Sequence, residues 1–161
     1  MFLKKFEIRW SDLDPNRHLA NSAYINFMSA TRMDYLIQKG FDQRAMAKYK
    51  IGPIIFKEQI HYYQEAFQGK PIYVSLEIAG MSENGAFFNF IHNFYDHKGA
   101  HLAQGEMMGA WMNLEIRKTT ALPDEFLHVI KDLHKTENFK VMTKEDTRTP
   151  GKVPVAIELP L

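Results

Sequence analysis

At 161 residues the chain is long enough to bury one sizeable core and short for two domains. Lys and Arg total 20 against 19 Asp and Glu, so no excess of one sign argues for nucleic acid or an anionic membrane as partner. The absence of cysteine excludes disulfides, thiolate metal sites and a cysteine nucleophile, and leaves oxygen and nitrogen for any covalent chemistry.

The first segment, MFLKKFEIRW, is charged by Lys4 and has no apolar core of signal length, and no apolar run anywhere approaches the roughly 18 residues of a membrane span. The expectation is a soluble, cytoplasmic protein. Phe2 to Trp10 alternates in period two and reads as a strand. It runs into DLDPNRHLANSAY, residues 12–24, where two carboxylates, two amides, an Arg and a His are crowded together. From Asn21 or Ser22, either of them an acceptable N-cap, Tyr24, Phe27, Met28, Tyr35 and Leu36 recur at helical spacing as far as Lys39. Gly40 fits the position after the C-cap. Ile25, Met33 and Ile37 add a second apolar stripe, so this helix requires cover on more than one side.

Four stretches rich in β-branched and aromatic residues follow, near 53–65, 71–81, 86–96 and 101–116. Gly69-Lys70-Pro71, Asn84-Gly85 and Lys98-Gly99 supply turn chemistry between them, and such short connections predict antiparallel neighbours. Pro123 opens an amphipathic helix with Phe126, Leu127, Ile130 and Leu133 on one side. The expected organisation is one domain over 1–140 and a tail over 141–161, extended or partly disordered. Strand, long helix, long strands and a closing helix give an α+β fold in which a long antiparallel sheet wraps one central helix. Little else is available to cover the sheet edges, so a second copy is expected to complete it, as a homodimer with a tetramer left open.

If residues 14–18 are extended, Asp14, Asn16 and His18 share one side, next to a helix start whose N–H groups lack partners. A carboxylate beside such donors suits attack on an acyl carbonyl, with the carboxylate activating water or attacking directly and the oxyanion held by N–H groups. The same residues also suit a plain turn, in which Asp12 or Asp14 caps the chain before Pro15 and His18 is a solvated or satisfied histidine. Asp96, His97 and His101 bracket a hairpin turn and are read as loop residues, with no metal site expected. Phe27, Met28, Met107 and Trp111 are candidates to line an acyl tunnel between helix and sheet.

RWSDLDPNRHLANSAYINFM resembles the hot-dog-fold thioesterases, especially the acyl-carrier-protein thioesterases, whose pattern D-x-D-x-N-x-H-x-x-N-x-x-Y is met by Asp12, Asp14, Asn16, His18, Asn21 and Tyr24. The 4-hydroxybenzoyl-CoA thioesterase group is similar in its D-x-D-P start and in a late helix arginine, matched by Arg32. The resemblance continues through IHYYQEAFQGKPIYV and AQGEMMGAWMNLE and covers roughly residues 4–135. It implies a single hot-dog domain that hydrolyses thioesters of CoA or acyl carrier protein (ACP) without a cofactor, in acyl or fatty-acid metabolism. It further implies Asp14 as base or nucleophile, Asn16 and His18 as positioning groups, Glu65 as a second acidic residue, and Asn21 and Tyr24 on the substrate side. Ser29 and Ala30 stand where another branch of the fold carries a helix glutamate, which leaves the chemistry to Asp14. The residues equally admit a different class, a non-catalytic hot-dog module that holds an acyl chain or acyl-CoA.

Overall fold

The computed structural model describes residues 1–159, so Pro160 and Leu161 of the expected tail lie outside the described residues. Strand β1 (Phe2–Phe6) leads through a short 3-10 turn to helix α1 (Asn21–Gln38) and the smaller α2 (Gln43–Tyr49). Then come β2 (Ile51–Tyr62), β3 (Ile72–Met81), β4 (Phe87–Tyr95) and β5 (His101–Asn113). The short β6 (Lys118–Thr119), α3 (Asp124–Lys131) and β7 (Lys135–Val141) complete the fold. The sheet runs β1-β3-β4-β5-β2, with β6 paired to β5 and β7 paired in parallel to β3. One antiparallel sheet curled on one long helix is the α+β architecture expected from the sequence.

Helix α1 packs its buried face, Tyr24, Phe27, Met28, Thr31, Tyr35 and Leu36, against the inner side of the sheet. Its close approach is set by Gly105 on β5, where a Cβ would stand 2.5 Å from the Met28 sulfur. Gly40 takes φ +80 immediately past the helix end, a conformation that costs a residue with a Cβ, so the helix stops where the sequence predicts. The start differs from expectation: the N-cap is Ala20, with no side-chain cap, because Asn21 and Ser22 are already inside the first turn.

Three strand expectations are corrected. β1 ends at Phe6 rather than Trp10, because Phe6 pairs with Ile72, the first residue of β3, and no partner strand continues beyond it. β2 and β3 are not neighbours; β2 pairs with β5 along Ile51–Tyr62. The intervening residues do not form a hairpin because they dock on the polar loop, through a His18–Phe67 bridge and Leu19 N–H donating to Ala66 O at 2.8 Å. The chain after α3 also forms one more strand than expected, β7, which takes the edge of β3 beyond the stretch that β1 occupies.

Candidate active site

Residues 12–20 form a knot of hydrogen bonds whose two aspartates have different duties. Asp12 is buried, and its carboxylate accepts from Arg9 N–H at 2.8 Å, Arg9 Nε at 3.1 Å and Arg9 Nη2 at 2.8 Å. Hydrogen bonds from the Arg9 side chain hold the Asp12 carboxyl below the usual carboxylate range, although burial opposes them. Its backbone carbonyl also accepts from Ala20 N–H at 2.8 Å, which ties the strand end to the helix start. Asp12 is thereby saturated and serves as a staple.

Asp14 is differently placed. One carboxylate oxygen, Oδ1, accepts from the backbone N–H groups of Asn16 at 2.8 Å and His18 at 3.0 Å. The other, Oδ2, has no hydrogen-bond partner among the described residues, and Asp14 lines a surface cavity of about 340 Å³. The turn reading and the reactive reading of this aspartate therefore hold at once: one oxygen fixes the loop and the other is open.

Arg17 adopts φ 65, and Arg17 N–H donates to Asp14 O at 2.9 Å while Asp14 N–H donates to His18 O at 2.9 Å. The loop is thus a tight turn, and the alternate-side geometry of an extended segment does not apply to it. His18 reaches the cavity and stands 3.2 Å from Glu65, Nε2 to Oε1, with its ring edge-on to Phe67 at 5.0 Å. Asn16 is exposed and does not line the cavity; its contact with Asp14 is through the backbone N–H.

The helix start completes the wall with Asn21 and Tyr24. The first N–H groups of a helix have no intrahelical acceptor. Here Ala20 N–H donates to Asp12 O, Ser22 N–H to Asn21 Oδ1 at 2.9 Å and Ala23 N–H to Ala20 O at 2.9 Å. That leaves Asn21 N–H as the amide of this turn with no acceptor among the described residues. Tyr24 is buried, with its ring edge-on to Tyr62 at 5.1 Å and Phe94 at 4.9 Å. Burial, helped by the neighbouring Tyr62, pushes its hydroxyl up to about 12, so it is neutral at physiological pH. Tyr62, Tyr63 and Gln64 line the same cavity, and the sequence reading passed over all three. Their only sequence signal was their place at the end of the strand expected over 53–65, next to the acidic Glu65.

Of the residues proposed for an acyl tunnel, Met107 and Trp111 line a second, apolar cavity under the C-terminal half of α1. Phe27 instead stacks on Phe6 at 4.4 Å, and Met28 is fully buried beneath Gly105. Asp96 caps its hairpin turn, with Oδ1 accepting from Lys98 N–H and Ala100 N–H at 2.8 Å each.

The family model of the thioesterase-like superfamily matches residues 8–130 of the chain. No curated protein sequence matches it. Among solved structures, the fold is similar to a hypothetical protein of Staphylococcus aureus determined in complex with CoA, with a TM-score of 0.77 over 96% of this chain and 95% of that one at 17% identity. It is similar also to a 1,4-dihydroxy-2-naphthoyl-CoA thioesterase from Synechocystis, with a TM-score of 0.73 over 82% and 96% of the two chains at 16% identity. A probable thioesterase from Escherichia coli matches with a TM-score of 0.69 over 83% and 98% at 18% identity. At these identities the likeness is one of fold, and it is the hot-dog fold.

Proposed function

The chain belongs to the thioesterase-like superfamily, and from that membership we propose that it hydrolyses acyl thioesters of CoA or acyl carrier protein to the free acid and the thiol. The observation that carries this reading is that one cavity is lined both by Asp14, whose Oδ2 has no hydrogen-bond partner among the described residues, and by Asn21 at the start of α1, whose backbone N–H has none either. An acyl carbonyl between them meets a base or nucleophile on one side and an oxyanion donor on the other. In the base route, Asp14 takes a proton from water as the water oxygen bonds to the carbonyl carbon; the tetrahedral intermediate then collapses, the C–S bond breaks, and the departing thiolate takes up the proton held by Asp14. In the nucleophile route, Asp14 Oδ2 bonds to that carbon, thiolate leaves, and water then cleaves the mixed anhydride. Both routes return the same acid and thiol.

His18 and Glu65 are proposed as a positioning pair at the mouth, where Glu65 is mostly exposed and free to follow the substrate. Asn16 contributes the N–H that pins Asp14 Oδ1. Tyr24 supplies a neutral, rigid wall. The neighbour solved with CoA and the naphthoyl-CoA thioesterase favour CoA as the first carrier to try.

The functional unit is proposed to be a homodimer. β2 is an edge strand of the sheet, and it leaves Ile55 and Phe56 exposed, a combination that soluble proteins ordinarily cover. The test of function is thiol release, followed with a chromogenic thiol reagent, across short, long and aromatic acyl-CoAs and acyl-ACPs. Turnover on any class supports hydrolysis. Thermal stabilisation by acyl-CoA without turnover on any of them would instead favour a non-catalytic binding module.

A further inference from the structure

The second cavity measures about 220 Å³ and lies between the C-terminal half of α1, the first residues of β2 and the inner sheet. It shares no lining residue with the cavity of Asp14. At 1.5 Å rise per residue, Arg32 in its wall is about 16 Å along α1 from Asn21. Most of the wall is hydrocarbon, including Leu76, Phe88, Phe90 and Met107. Four side chains that carry hydrogen-bond donors interrupt that surface, Ser29, Arg32, Tyr35 and Trp111, and the Tyr35 hydroxyl already donates to Val129 O at 2.8 Å.

Arg32 is the sole cationic side chain in this wall, and its partners are few. Its Nη1 donates to His92 Nε2 at 3.2 Å, while His92 Nδ1–H donates to Ser75 O at 2.7 Å. Burial, then the nearby Arg32 charge, push the fully buried His92 down to about 3, so it is a neutral acceptor and offsets none of the charge. No carboxylate lies within ion-pair distance of Arg32 among the described residues; Glu58 acts on it only from farther away. Burial pushes the guanidinium down to about 10, which leaves it charged at neutral pH. Four of its five N–H donors have no acceptor among the described residues. Trp111 is 1% exposed, and its Nε1–H also has no acceptor among the described residues.

A largely buried, unpaired cation is costly, and donors without acceptors in an apolar wall suit an anion with an apolar body. We propose that this cavity binds a small apolar carboxylic acid in its ionised form, with the carboxylate on the Arg32 guanidinium and the hydrocarbon body against Phe88, Phe90 and Met107. A dry cavity of roughly 150 Å³ accommodates benzene. The space here therefore suits a benzoate-sized acid, which the planar guanidinium can grip through two parallel N–H bonds. The inference does not depend on thioester hydrolysis, because free acid binds whether or not the chain turns over a thioester.

The test is isothermal titration of the full-length chain with sodium benzoate and with benzamide, an uncharged molecule of the same shape, at neutral pH. Saturable binding of benzoate is expected, with benzamide at least about tenfold weaker. Arg32→Met is expected to weaken benzoate about tenfold or more, Arg32→Lys to retain part of the affinity, and Asp14→Asn to leave it unchanged. The benzoate and benzamide comparison on the natural chain stands even if Arg32→Met fails to fold. Equal affinity for the two compounds, no benzoate binding at about 10 mM, undiminished binding by a folded Arg32→Met chain, or loss of binding in Asp14→Asn would each overturn the proposal.

Discussion

Asp12 and Asp14 are two residues apart and chemically alike, yet their surroundings give one a structural duty and leave the other an open oxygen. Arg9 depresses the folded-state pKa of Asp12, so the stabilisation it gives is fully present above the unfolded value near ~3.9 and is lost as pH falls through the depressed folded value. The stability advantage of the natural chain over Asp12→Asn is therefore expected to be flat from about pH 5 to 8 and to shrink in acid below about pH 4, read by thermal melts across pH. Near neutrality Asp12→Ala is expected to cost about 0.5–1.5 kcal/mol through the hydrogen bonds it removes, since the Arg9 donors left behind face water. Asn21 offers a cleaner probe of the oxyanion donor. It is the first helical residue, where proline is well tolerated, and Ala20 before it already has ψ 146, which proline requires of its predecessor. Asn21→Pro is expected to keep the melting temperature within a few degrees and to lower turnover by roughly 10²–10³. Unchanged turnover in that variant would remove Asn21 N–H from the mechanism.

At the scale of elements, helix α1 and strands β3 to β5 were legible because periodicity and turn residues are local: Tyr24, Phe27, Met28, Tyr35 and Leu36 fall on one face, and Asn84-Gly85 and Lys98-Gly99 do close hairpins. The placement of β2 was not legible, since its pairing with β5 depends on where residues 63–71 dock, and no spacing encodes that. Helix α2 escaped notice because it buries only Met46 and has no stripe, although Asp42, whose Oδ1 accepts from Ala45 N–H at 2.8 Å, was an available N-cap signal. β7, KTENFKV, is too polar to read as a strand and forms because the end of β3 offers an open edge. Of the candidate site, the sequence made legible the residue types that gather near the cavity but not the different surroundings of each. Nothing in D-x-D-P-N distinguishes a saturated Asp12 from a half-open Asp14, or shows that Asn16 meets Asp14 through its backbone N–H. The β2–β5 pairing has its own weak point at Gly109, where a Cβ would strike the Ile54 carbonyl beside the bulge at Phe56. Gly109→Ala is expected to destabilise the fold by about 1–3 kcal/mol, measurable as a lower midpoint in urea.

For the whole molecule, the uncovered surface lies where the sequence left apolar residues without cover. Ile25 and Ile37 are exposed on α1, and Ile55 and Phe56 on β2. A second copy that adds its own β2 would pair the free edge and extend the sheet. Light scattering after size exclusion is expected to give twice the chain mass at micromolar concentration, and Phe56→Lys to shift it toward the monomer; a monomeric natural chain would defeat this reading.

The most direct measurement is the rate of thiol release from the best acyl-CoA or acyl-ACP substrate, for the natural chain and Asp14→Asn in parallel, with folding of both checked by circular dichroism. The account predicts a fall of roughly 10²-fold or more in turnover for the folded variant, as befits loss of the group that activates or replaces water. Near-natural turnover by folded Asp14→Asn would contradict it, since the open Asp14 oxygen would then take no part in the chemistry.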